Sequence, residues 1–435
     1  MLDIKYIVNN AKEVQKNCEQ RLVKCDIEGL ISMYREKNSL QNEVDGLRQA
    51  RNEISSKIKS ASNETRPQLI EDSKSIKVQL TEKEKVLSEL TAKYSDEHGK
   101  IPNITHPDSP IGKDDTENLE LRRYKPPSRF SFTPKDHIQL GKDLDLIDFE
   151  SANKVSGSKF YYLKNEAVLL EFALVQHALN VLLEEGFTLI STPDLARDRI
   201  LEGIGFNPRG KETNVYSIAD SDLCLIGTAE ITLGGMYADS ILKERDLPVK
   251  LAGVSHCFRT EAGSYGQFSK GLYRVHQFTK VEMFAFTSPK KSEETHDYFL
   301  DIEERLFRSL DIPFRTVDIC TGDLGGPAYR KYDLEAWMPG RPGEQKGETG
   351  NWGEITSTSN CTDYQARRLN IKYRPEDGGK TEFVHMLNGT AIAVSRALIA
   401  ILENYQQEDG SVAVPEVLQS LVGKKIIKAR ATEAV

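Results

Sequence analysis

The sequence is poor in the residues that build disulfide frameworks and metal centres. Its six cysteines are scattered among 435 residues, with no CxxC pair and no histidine-rich tract. Isolated, reduced thiols are therefore expected, and no zinc site is expected. The chain also lacks an apolar run long enough to predict a membrane span, and its N-terminus lacks the apolar core of a signal peptide. Neither secretion nor a membrane partner is expected.

The sequence also lacks an excess of positive charge. Its formal net charge is −8, with 58 lysines and arginines against 66 aspartates and glutamates. Composition alone therefore does not indicate a nucleic-acid partner. Binding to nucleic acid depends on local basic patches, so a nucleic-acid-binding protein is not excluded. A hydrophobic content of 38% and a charged content of 29% are typical of a soluble protein. The length predicts two domains with a sizeable core.

Two long helices are predicted in the N-terminal part. Apolar residues recur at three- and four-residue spacing in two seams, at 30–61 and 69–94. A break at 62–67, which contains Asn, Thr and Pro, allows the chain to reverse. The two stripes can pack against each other as an antiparallel coiled coil over about 27–98, which we expect to project as an arm. On this pattern alone, a dimerisation coil or a spacer fits as well as a binding arm.

Basic residues cluster near the predicted tip of this arm. They are Lys57, Lys59, Arg66, Lys74 and Lys77. Each is explained individually as solvated surface charge, but together they could contact phosphates. The following residues, 101–116, are rich in Pro, Gly and Asp without periodicity, which predicts a linker. Residues 117–435 predict one α+β domain, with strands and helices in irregular order.

The most informative stretch is residues 254–286, VSHCFRTEAGSYGQFSKGLYRVHQFTKVEMFAF. It predicts two strands joined by a loop whose glycines are Gly263, Gly266 and Gly271. Alternation gives the first strand a face with Cys257, Arg259 and Glu261. The same rule gives the second strand a face with Arg274, His276, Phe278, Lys280 and Glu282. These faces suit a ligand with phosphates, a flat base and an ammonium or hydroxyl group, although solvated cross-strand pairing is the structural alternative.

Two further stretches precede and follow this hairpin. Residues 167–185 predict an amphipathic helix that ends at Gly186, followed by a strand at 187–192 that stops at Pro193. Residues 223–230, LCLIGTAE, predict a short strand that runs through a glycine turn into a helix. Thr228 could cap this helix and Glu230 could complement its dipole, or Glu230 could hold the ammonium group of a ligand.

The C-terminal motifs contain more candidate residues. A strand at 331–339 is followed by residues 350–357, GNWGEITS, in which glycines lead into Glu354. A strand at 382–387 is followed by NGT at 388–390 and then by a helix that runs through 405. That helix is apolar on nearly every face, so burial is expected. Arg396 in its middle must be paired, either with a core carboxylate or with a bound triphosphate.

In this order, these motifs resemble those of class II aminoacyl-tRNA synthetases, and specifically those of the seryl-tRNA synthetase family. FRTEAGSYG and GLYRVHQFTKVE resemble motif 2, the helix–strand–proline unit resembles motif 1, and NGT with its helix resembles motif 3. The resemblance covers essentially the whole chain. It implies an α+β catalytic domain built on an antiparallel sheet with flanking helices. It also implies a tRNA-binding coiled-coil domain in residues 1–100 and a homodimer formed through motif 1.

The resemblance further implies ATP-dependent attachment of L-serine to tRNA(Ser) through a seryl-adenylate, with tRNA(Sec) as an expected second substrate. The catalytic residues would be Arg259, Glu354 and Arg396. The ATP-binding residues would be Arg259, Thr260, Glu261, Val275, Phe278, Glu354, Ile355, Thr356, Ser357 and Arg396. The serine-binding residues would be Thr228, Ala229, Glu230, Arg259, Glu282, Asn388 and Thr390. Glu354 and Ser357 would bind Mg²⁺, since their oxygens are the ligand types that this ion prefers.

One loop departs from the family pattern. Residues 264–270 lack the charged sequence that bacterial members usually carry here, so the resemblance assigns no residue between Gln267 and Lys270 to the acceptor stem. The long variable stem of the tRNA is expected to contact the arm. The bacterial or organellar type of the family predicts a cytoplasmic location, or a mitochondrial or plastid matrix if a targeting peptide has been removed.

Two other functions fit parts of the sequence but not all of it. Another class II ligase, including one that charges a carrier protein, is disfavoured by the arm, because a carrier protein has no variable stem to hold. A non-catalytic tRNA-binding or scaffold protein is disfavoured by the presence of Arg259, Glu282, Glu354 and Arg396.

Overall fold

The chain divides into two units, residues 1–104 and residues 105–435. A computed structural model describes residues 1–206, 214–262, 270–343 and 349–430. The helices of the N-terminal unit are α1 (Ile4–Asn9), α2 (Ala11–Gln20), α3 (Ile27–Ser60) and α4 (Arg66–Lys100). Asp26 caps α3 by accepting a hydrogen bond from the Gly29 N–H at 2.9 Å. Residues 61–65 connect α3 to α4 at the predicted reversal.

Helices α3 and α4 pack along the predicted apolar seam. Val44 and Leu80 are buried in it, and the rings of Tyr34 and Tyr94 approach to 6.0 Å. Arg48 of α3 forms an ion pair with Glu84 of α4 at 2.8 Å. Contacts that join an early residue of α3 to a late residue of α4 require antiparallel helices, so the predicted antiparallel coiled coil is confirmed.

The larger unit is α+β, as predicted. Its strands are β1 (Leu119–Tyr124), β2 (Ile147–Asp148), β3 (Tyr162–Leu163), β4 (Thr188–Ser191), β5 (Leu195–Arg197), β6 (Leu223–Leu225), β7 (Ile241–Lys243), β8 (Val249–Phe258), β9 (Gln277–Thr287), β10 (Phe314–Asp318), β11 (Arg330–Pro342), β12 (Thr349–Asn360), β13 (Lys372–Arg374), β14 (Glu382–Phe383), β15 (His385–Ala393), β16 (Val412–Ala413) and β17 (Ile426–Ile427). Its helices are α5 (His137–Asp143), α6 (Phe149–Ser156), α7 (Glu166–Glu184), α8 (Asp198–Ile204), α9 (Glu230–Gly235), α10 (Ser292–Ser309), α11 (Tyr364–Leu369), α12 (Val394–Asn404) and α13 (Glu416–Val422).

One large sheet organises this unit. Its strand order is β1-β10-β11-β12-β15-β9-β8-β4. Neighbouring strands are antiparallel except β4 and β8, which run parallel. Helices α8 and α9 lie between β4 and β8 in the sequence, and this supplies the long connection that parallel pairing requires. The predicted antiparallel sheet is therefore confirmed, with one parallel pair at its edge.

Alternation along β9 separates the core from the other face of the sheet. Val281 and Met283 are fully buried in the main core, together with Phe299 of α10 and Leu398 of α12. The intervening residues, such as Glu282, point to the opposite face, where the candidate site lies. A second apolar cluster holds α8, α9 and α11 together.

Helix α7 is apolar on two sides. By length and composition alone this helix could span a membrane, which the sequence analysis did not predict. However, 44% of its most apolar 18-residue stretch is buried inside the protein. Leu170 and Leu174 lie in the core, whereas Leu169 and Phe172 are exposed, the latter by 67%. A core helix of a soluble protein passes the same test. The two apolar faces of α7 point to a core contact and a second, external contact.

Two predicted boundaries in the C-terminal motifs are wrong. Strand β15 continues through NGT to Ala393, so the following helix begins only at Val394. Pairing with β9, which sets Thr390 opposite Glu282, keeps this segment extended. Residues 350–353 belong to strand β12 and are not a lead-in to it. Gly350 has φ +98° there, and a Cβ at this position would lie 2.1 Å from the ring of Trp337.

Candidate functional site

A cavity of about 240 Å³ lies on the face of the sheet that β9, β12 and β15 share. It gathers all but two of the residues predicted above to bind ATP, serine or Mg²⁺: Thr228, Glu230, Arg259, Glu261, Val275, Phe278, Glu282, Glu354, Ile355, Thr356, Ser357, Asn388, Thr390 and Arg396. The exceptions are Ala229, which is buried in the second apolar cluster, and Thr260, whose N–H donates to the Asn214 carbonyl at 3.1 Å. Residues that are far apart in the sequence therefore meet in one place.

Glu230 lies at one end of this cavity, at the start of α9. Its Oε1 accepts hydrogen bonds from Gln365 Nε2 at 2.7 Å and from Asn388 Nδ2 at 3.0 Å. Burial raises the pKa of Glu230 to about 7, and the nearby Glu282 carboxyl adds to the rise. A buried carboxylate with only amide donors on it is suited to a ligand cation such as an ammonium group.

Glu282 and Thr390 face each other across β9 and β15 beside Glu230. Both are buried. Lys280, two residues earlier on the same face of β9, forms an ion pair with Glu282 and donates to Thr228 Oγ1 at 2.8 Å. Burial raises the pKa of Glu282, and Lys280 opposes this rise. A carboxylate and a hydroxyl that line the same cavity as an ammonium site can hold a small hydroxyl group.

Arg259 and Phe278 occupy the middle of the cavity. The Arg259 guanidinium lies 5.3 Å from the centre of the Phe278 ring, and its Nε donates to the Gly227 carbonyl at 3.2 Å. Beyond them, Arg274 Nη1 and Glu261 Oε2 are 3.3 Å apart. Positive charge above an aromatic face is favourable. A planar ring next to a guanidinium fits a flat base joined to a phosphate.

Glu354 and Arg396 form the other end. Their Oε1 and Nη1 atoms are 2.8 Å apart, so the structure pairs Arg396 with a carboxylate. The Arg396 guanidinium also lies 4.8 Å from the centre of the Tyr273 ring. Burial alone would raise the pKa of Glu354, but Arg396 and Lys331 hold it at about 2. Glu354 therefore carries its charge throughout the physiological pH range.

Glu354 and Ser357 offer a carboxylate and a hydroxyl oxygen on the same strand, which are ligand types that fit Mg²⁺. Within residues 1–206, 214–262, 270–343 and 349–430, no group of three His, Cys, Asp or Glu residues could hold a metal ion. The remaining ligands of an ion at Glu354 and Ser357 would be water and the oxygens of a bound phosphate. This is the usual arrangement for Mg²⁺ in phosphate-binding sites.

Two residues of the predicted strand faces do not line the cavity. His276 precedes β9, because residues Gly271–Tyr273 form a 3₁₀ turn and regular alternation begins only at Gln277. Its ring lies 5.2 Å from that of Phe160, and its Nδ1 donates to the Arg259 carbonyl at 2.8 Å. Cys257 is fully buried. The predicted loop at 264–270, apart from Lys270, and the glycines Gly263 and Gly266 lie outside the described residues.

Some cavity residues were not predicted. They are Phe206, Tyr273, Lys331, Ala393 and Ser395. Lys331 Nζ lies 3.2 Å from Asp333 Oδ2, and alternation along β11 could have placed both on one face. Phe206 follows α8, far in sequence from every motif. The packing of α8 against α11 brings it to the cavity, and no sequence pattern reports that contact.

Comparison with known families agrees with this geometry. Residues 215–405 match the family described as the tRNA synthetase class II core domain (G, H, P, S and T). Residues 1–105 match the seryl-tRNA synthetase N-terminal domain. The sheet, the cavity and the matched core define a class II aminoacyl-tRNA synthetase.

Individual relatives narrow this class. The serine–tRNA ligase of Rubrobacter xylanophilus is 54% identical over 428 residues, which are 98% of this chain and 99% of the relative. That of Treponema denticola is 53% identical over 97% of this chain and 99% of its own length. The crystal structure of seryl-tRNA synthetase from Pyrococcus horikoshii complexed with ATP has a TM-score of 0.86 at 40% identity, and it covers 99% of this chain and 100% of that chain. The chain belongs to the seryl-tRNA synthetase family of enzymes, which join serine to tRNA. This membership disfavours the two alternatives, another class II ligase and a non-catalytic tRNA-binding or scaffold protein.

Proposed function

We propose that the cavity activates serine with ATP to form seryl-adenylate and then transfers the seryl group to tRNA(Ser), and to tRNA(Sec) where that tRNA is present. One observation carries the proposal: a single cavity is lined both by the carboxylates Glu230 and Glu282 and by the guanidinium groups of Arg259 and Arg396. The carboxylates suit the ammonium and hydroxyl groups of serine. The guanidinium groups suit the phosphates of a nucleotide.

In the first step, the serine carboxylate attacks the α-phosphate of ATP and pyrophosphate leaves. Arg259 binds the α-phosphate and stabilises the charge that builds on it, while adenine stacks on Phe278. The neighbouring residues Glu261, Val275, Ile355 and Thr356 complete the nucleotide pocket. The related enzyme of Pyrococcus horikoshii supports ATP here, because its structure is described as complexed with ATP.

Serine is held by its two polar groups. Glu230 binds the ammonium group, with Asn388 beside it. The side-chain hydroxyl of serine donates a hydrogen bond to the Glu282 carboxylate and accepts one from the Thr390 hydroxyl. This placement leaves the serine carboxylate directed towards Arg259. In the second step, the 3′-hydroxyl of the terminal tRNA adenosine attacks the seryl carbonyl, and AMP leaves.

Glu354 and Ser357 would hold Mg²⁺ together with phosphate oxygens of ATP. The ion supplies positive charge that neutralises the phosphates during the displacement. The low pKa of Glu354 keeps this carboxylate available as a ligand. Arg396, whose guanidinium lies 2.8 Å from the Glu354 carboxylate, would bind a phosphate of ATP.

The coiled coil of α3 and α4 is proposed to bind the long variable stem of the tRNA. The basic residues near its tip are all exposed: Lys57, Lys59, Arg66, Lys74 and Lys77. Charges in this position can contact phosphates without reading sequence. Residues 1–100 would then be the tRNA-binding domain, 101–116 the linker, and 117–435 the catalytic domain.

The enzyme is proposed to be a homodimer that uses the exposed face of α7. Three large apolar side chains of that face are exposed to solvent: Leu169, Phe172 and Leu183. A stripe of large apolar side chains on a soluble protein marks a contact with another protein. A second copy of the chain would cover it.

Serine-dependent exchange of labelled pyrophosphate into ATP tests the proposed first step without tRNA. The expected result is exchange with serine and little with alanine, because a site built to bind a hydroxyl leaves polar groups unpaired around a methyl group. Exchange that does not depend on serine would contradict the proposal. Aminoacylation of tRNA(Ser) and tRNA(Sec) transcripts tests the second step.

A further inference from the structure

A buried amide lies behind the Glu230 carboxylate. Gln365 of α11 is fully buried, and its Nε2 donates to Glu230 Oε1 at 2.7 Å and to the Ile204 carbonyl at 2.9 Å. Ile204 is the last residue of α8, and Phe206, two residues later, lines the cavity. Gln365 itself does not line the cavity. It therefore connects the end of α8 to the Glu230 carboxylate from behind the cavity lining.

The orientation of this amide is fixed by its partners. A carboxylate and a carbonyl oxygen both accept hydrogen bonds, so the nitrogen of Gln365 must face them. The other end of the amide, Oε1, is buried and has no hydrogen-bond partner among the described residues. An unpaired buried oxygen is unfavourable, and an apolar side chain of similar size would avoid it. An amide retained under this penalty indicates that its N–H donors are needed at this position.

We propose that Gln365 is a positioning residue, which orients the Glu230 carboxylate for the ammonium group of serine and fixes it relative to the end of α8. This role rests on the proposed function, in which Glu230 binds that ammonium. Gln365 and Asn388 both donate to Oε1, so Oε2 receives neither donor and is left for the ammonium group of the substrate. Because Gln365 acts from behind, an incoming substrate does not displace it.

If Gln365 had only a structural role, it would stabilise the end of α8 without affecting Glu230. A cap on the end of α8 requires only the hydrogen bond to Ile204, and Arg368 Nη1 of the same helix α11 already donates to the Glu202 carbonyl at 2.9 Å. Loss of a cap lowers stability but leaves the substrate affinity of the folded enzyme unchanged. Substrate affinity therefore distinguishes the two roles.

The test compares Gln365→Met with Gln406→Met as a matched control. Gln406 is also buried, and its Nε2 also bridges two acceptors, the carbonyls of Lys135 and Glu403 at 3.0 and 2.8 Å. Neither acceptor lines the cavity. The measurements are the KM values for serine and ATP in pyrophosphate exchange, the pH profile and the thermal midpoint.

Gln365→Met is expected to raise the KM for serine about ten- to a hundred-fold, the range for losing a hydrogen bond to a charged group. The KM for ATP should change less than about twofold. Gln406→Met should lower the thermal midpoint without changing the KM for serine. Losing a donor favours the protonated form of Glu230, so the acid limb of kcat/KM for serine should move to higher pH in Gln365→Met.

The other charged groups that face Glu230 are Glu282 and Lys280 from β9 and Arg259 after β8. All three are unchanged in both variants, so a shift of the pH profile that appears only in Gln365→Met reports the lost amide. If this variant does not fold, Gln365→Leu takes its place. Leucine is close to glutamine in size and has no N–H donor for Glu230, so the same rise in the KM for serine is expected.

A folded Gln365→Met enzyme with a native KM for serine and a native pH profile would overturn the proposed role. A lower maximal rate and thermal midpoint with a native KM would also overturn it, because that result assigns Gln365 to stability alone. If the unaltered enzyme shows no serine-dependent exchange, the proposed function fails, and this role fails with it. Serine-dependent exchange by the unaltered enzyme keeps these outcomes distinguishable.

Discussion

Replacing Glu282 by alanine is expected to damage the enzyme in two separable ways. Glu282 faces Thr390 at the proposed hydroxyl site, and it also balances the buried charge of Lys280. The first role concerns recognition of serine. The second concerns the stability of the fold, because Lys280 and Glu282 are only 5% and 2% exposed.

The loss of recognition should raise the KM for serine and lower kcat/KM by one to two orders of magnitude, at about 1.4 kcal/mol for each factor of ten. The ratio of kcat/KM for serine over alanine should fall by a similar factor, because the hydroxyl loses its partner. The KM for ATP should change little, since the nucleotide residues Arg259 and Phe278 are unaltered. Pyrophosphate exchange measures all of these quantities.

The loss of stability should be larger than that of an ordinary surface substitution. Removing one partner of a buried ion pair costs about 3–5 kcal/mol, because the other charge stays buried. After Glu282→Ala, the remaining hydrogen bond of Lys280 is the one to Thr228 Oγ1. Denaturant unfolding should therefore show a clear loss of free energy of unfolding.

The double variant Lys280→Met with Glu282→Ala separates these effects. Removing both charges should recover most of the lost stability, since no charge is left unpaired. It should not recover the recognition of serine. If the double variant regains a native KM for serine, the stray charge of Lys280 caused the defect, and the assignment of Glu282 to the hydroxyl is wrong.

Three further variants test other parts of the proposed mechanism. Arg259→Lys keeps the charge but loses the bidentate fork, so kcat for exchange should fall severely while the thermal midpoint barely changes; a stability loss with near-normal turnover would instead indicate a structural ion pair. Joining the chain from about Asp26 to about Glu97 should preserve serine activation, raise the KM for tRNA and flatten the salt dependence of tRNA binding; normal charging by a monomer would show that the coiled coil serves dimerisation. Phe172→Asp should shift the enzyme from dimer to monomer in light scattering, and a monomeric unaltered enzyme would refute the proposed dimer face.

The hairpin of β8 and β9 could be predicted because its pattern is local. Phe278, Lys280 and Glu282 share one face as alternation requires, although β9 begins only at Gln277, after the predicted face residues Arg274 and His276. The coiled coil was equally accessible, since its seam repeats over many turns. Strand alternation and a helical seam depend only on residues that are close in sequence. They predict the structure correctly when the element packs against a regular strand or helix.

Other features depend on contacts that the sequence does not display. Residues 391–393, Ala-Ile-Ala, favour a helix locally, but pairing of β15 with β9 keeps them extended. Phe206 and Gln365 reach the site only because the second apolar cluster holds α8, α9 and α11 together. The pairing of Arg396 with Glu354 was one of two open alternatives, because sequence spacing does not measure the distance between β12 and α12.

The register between β9 and β15 has a consequence for changes in chain length. Because successive side chains point to opposite faces, inserting or deleting one residue in either strand would exchange Glu282 with Met283, or Thr390 with Ala391, in the cavity. Substitutions that keep the length preserve this register, whereas a single insertion would destroy the site. Residues 61–65 between α3 and α4 belong to no strand ladder. We therefore expect related chains to vary in length at that turn while keeping the length of both strands constant.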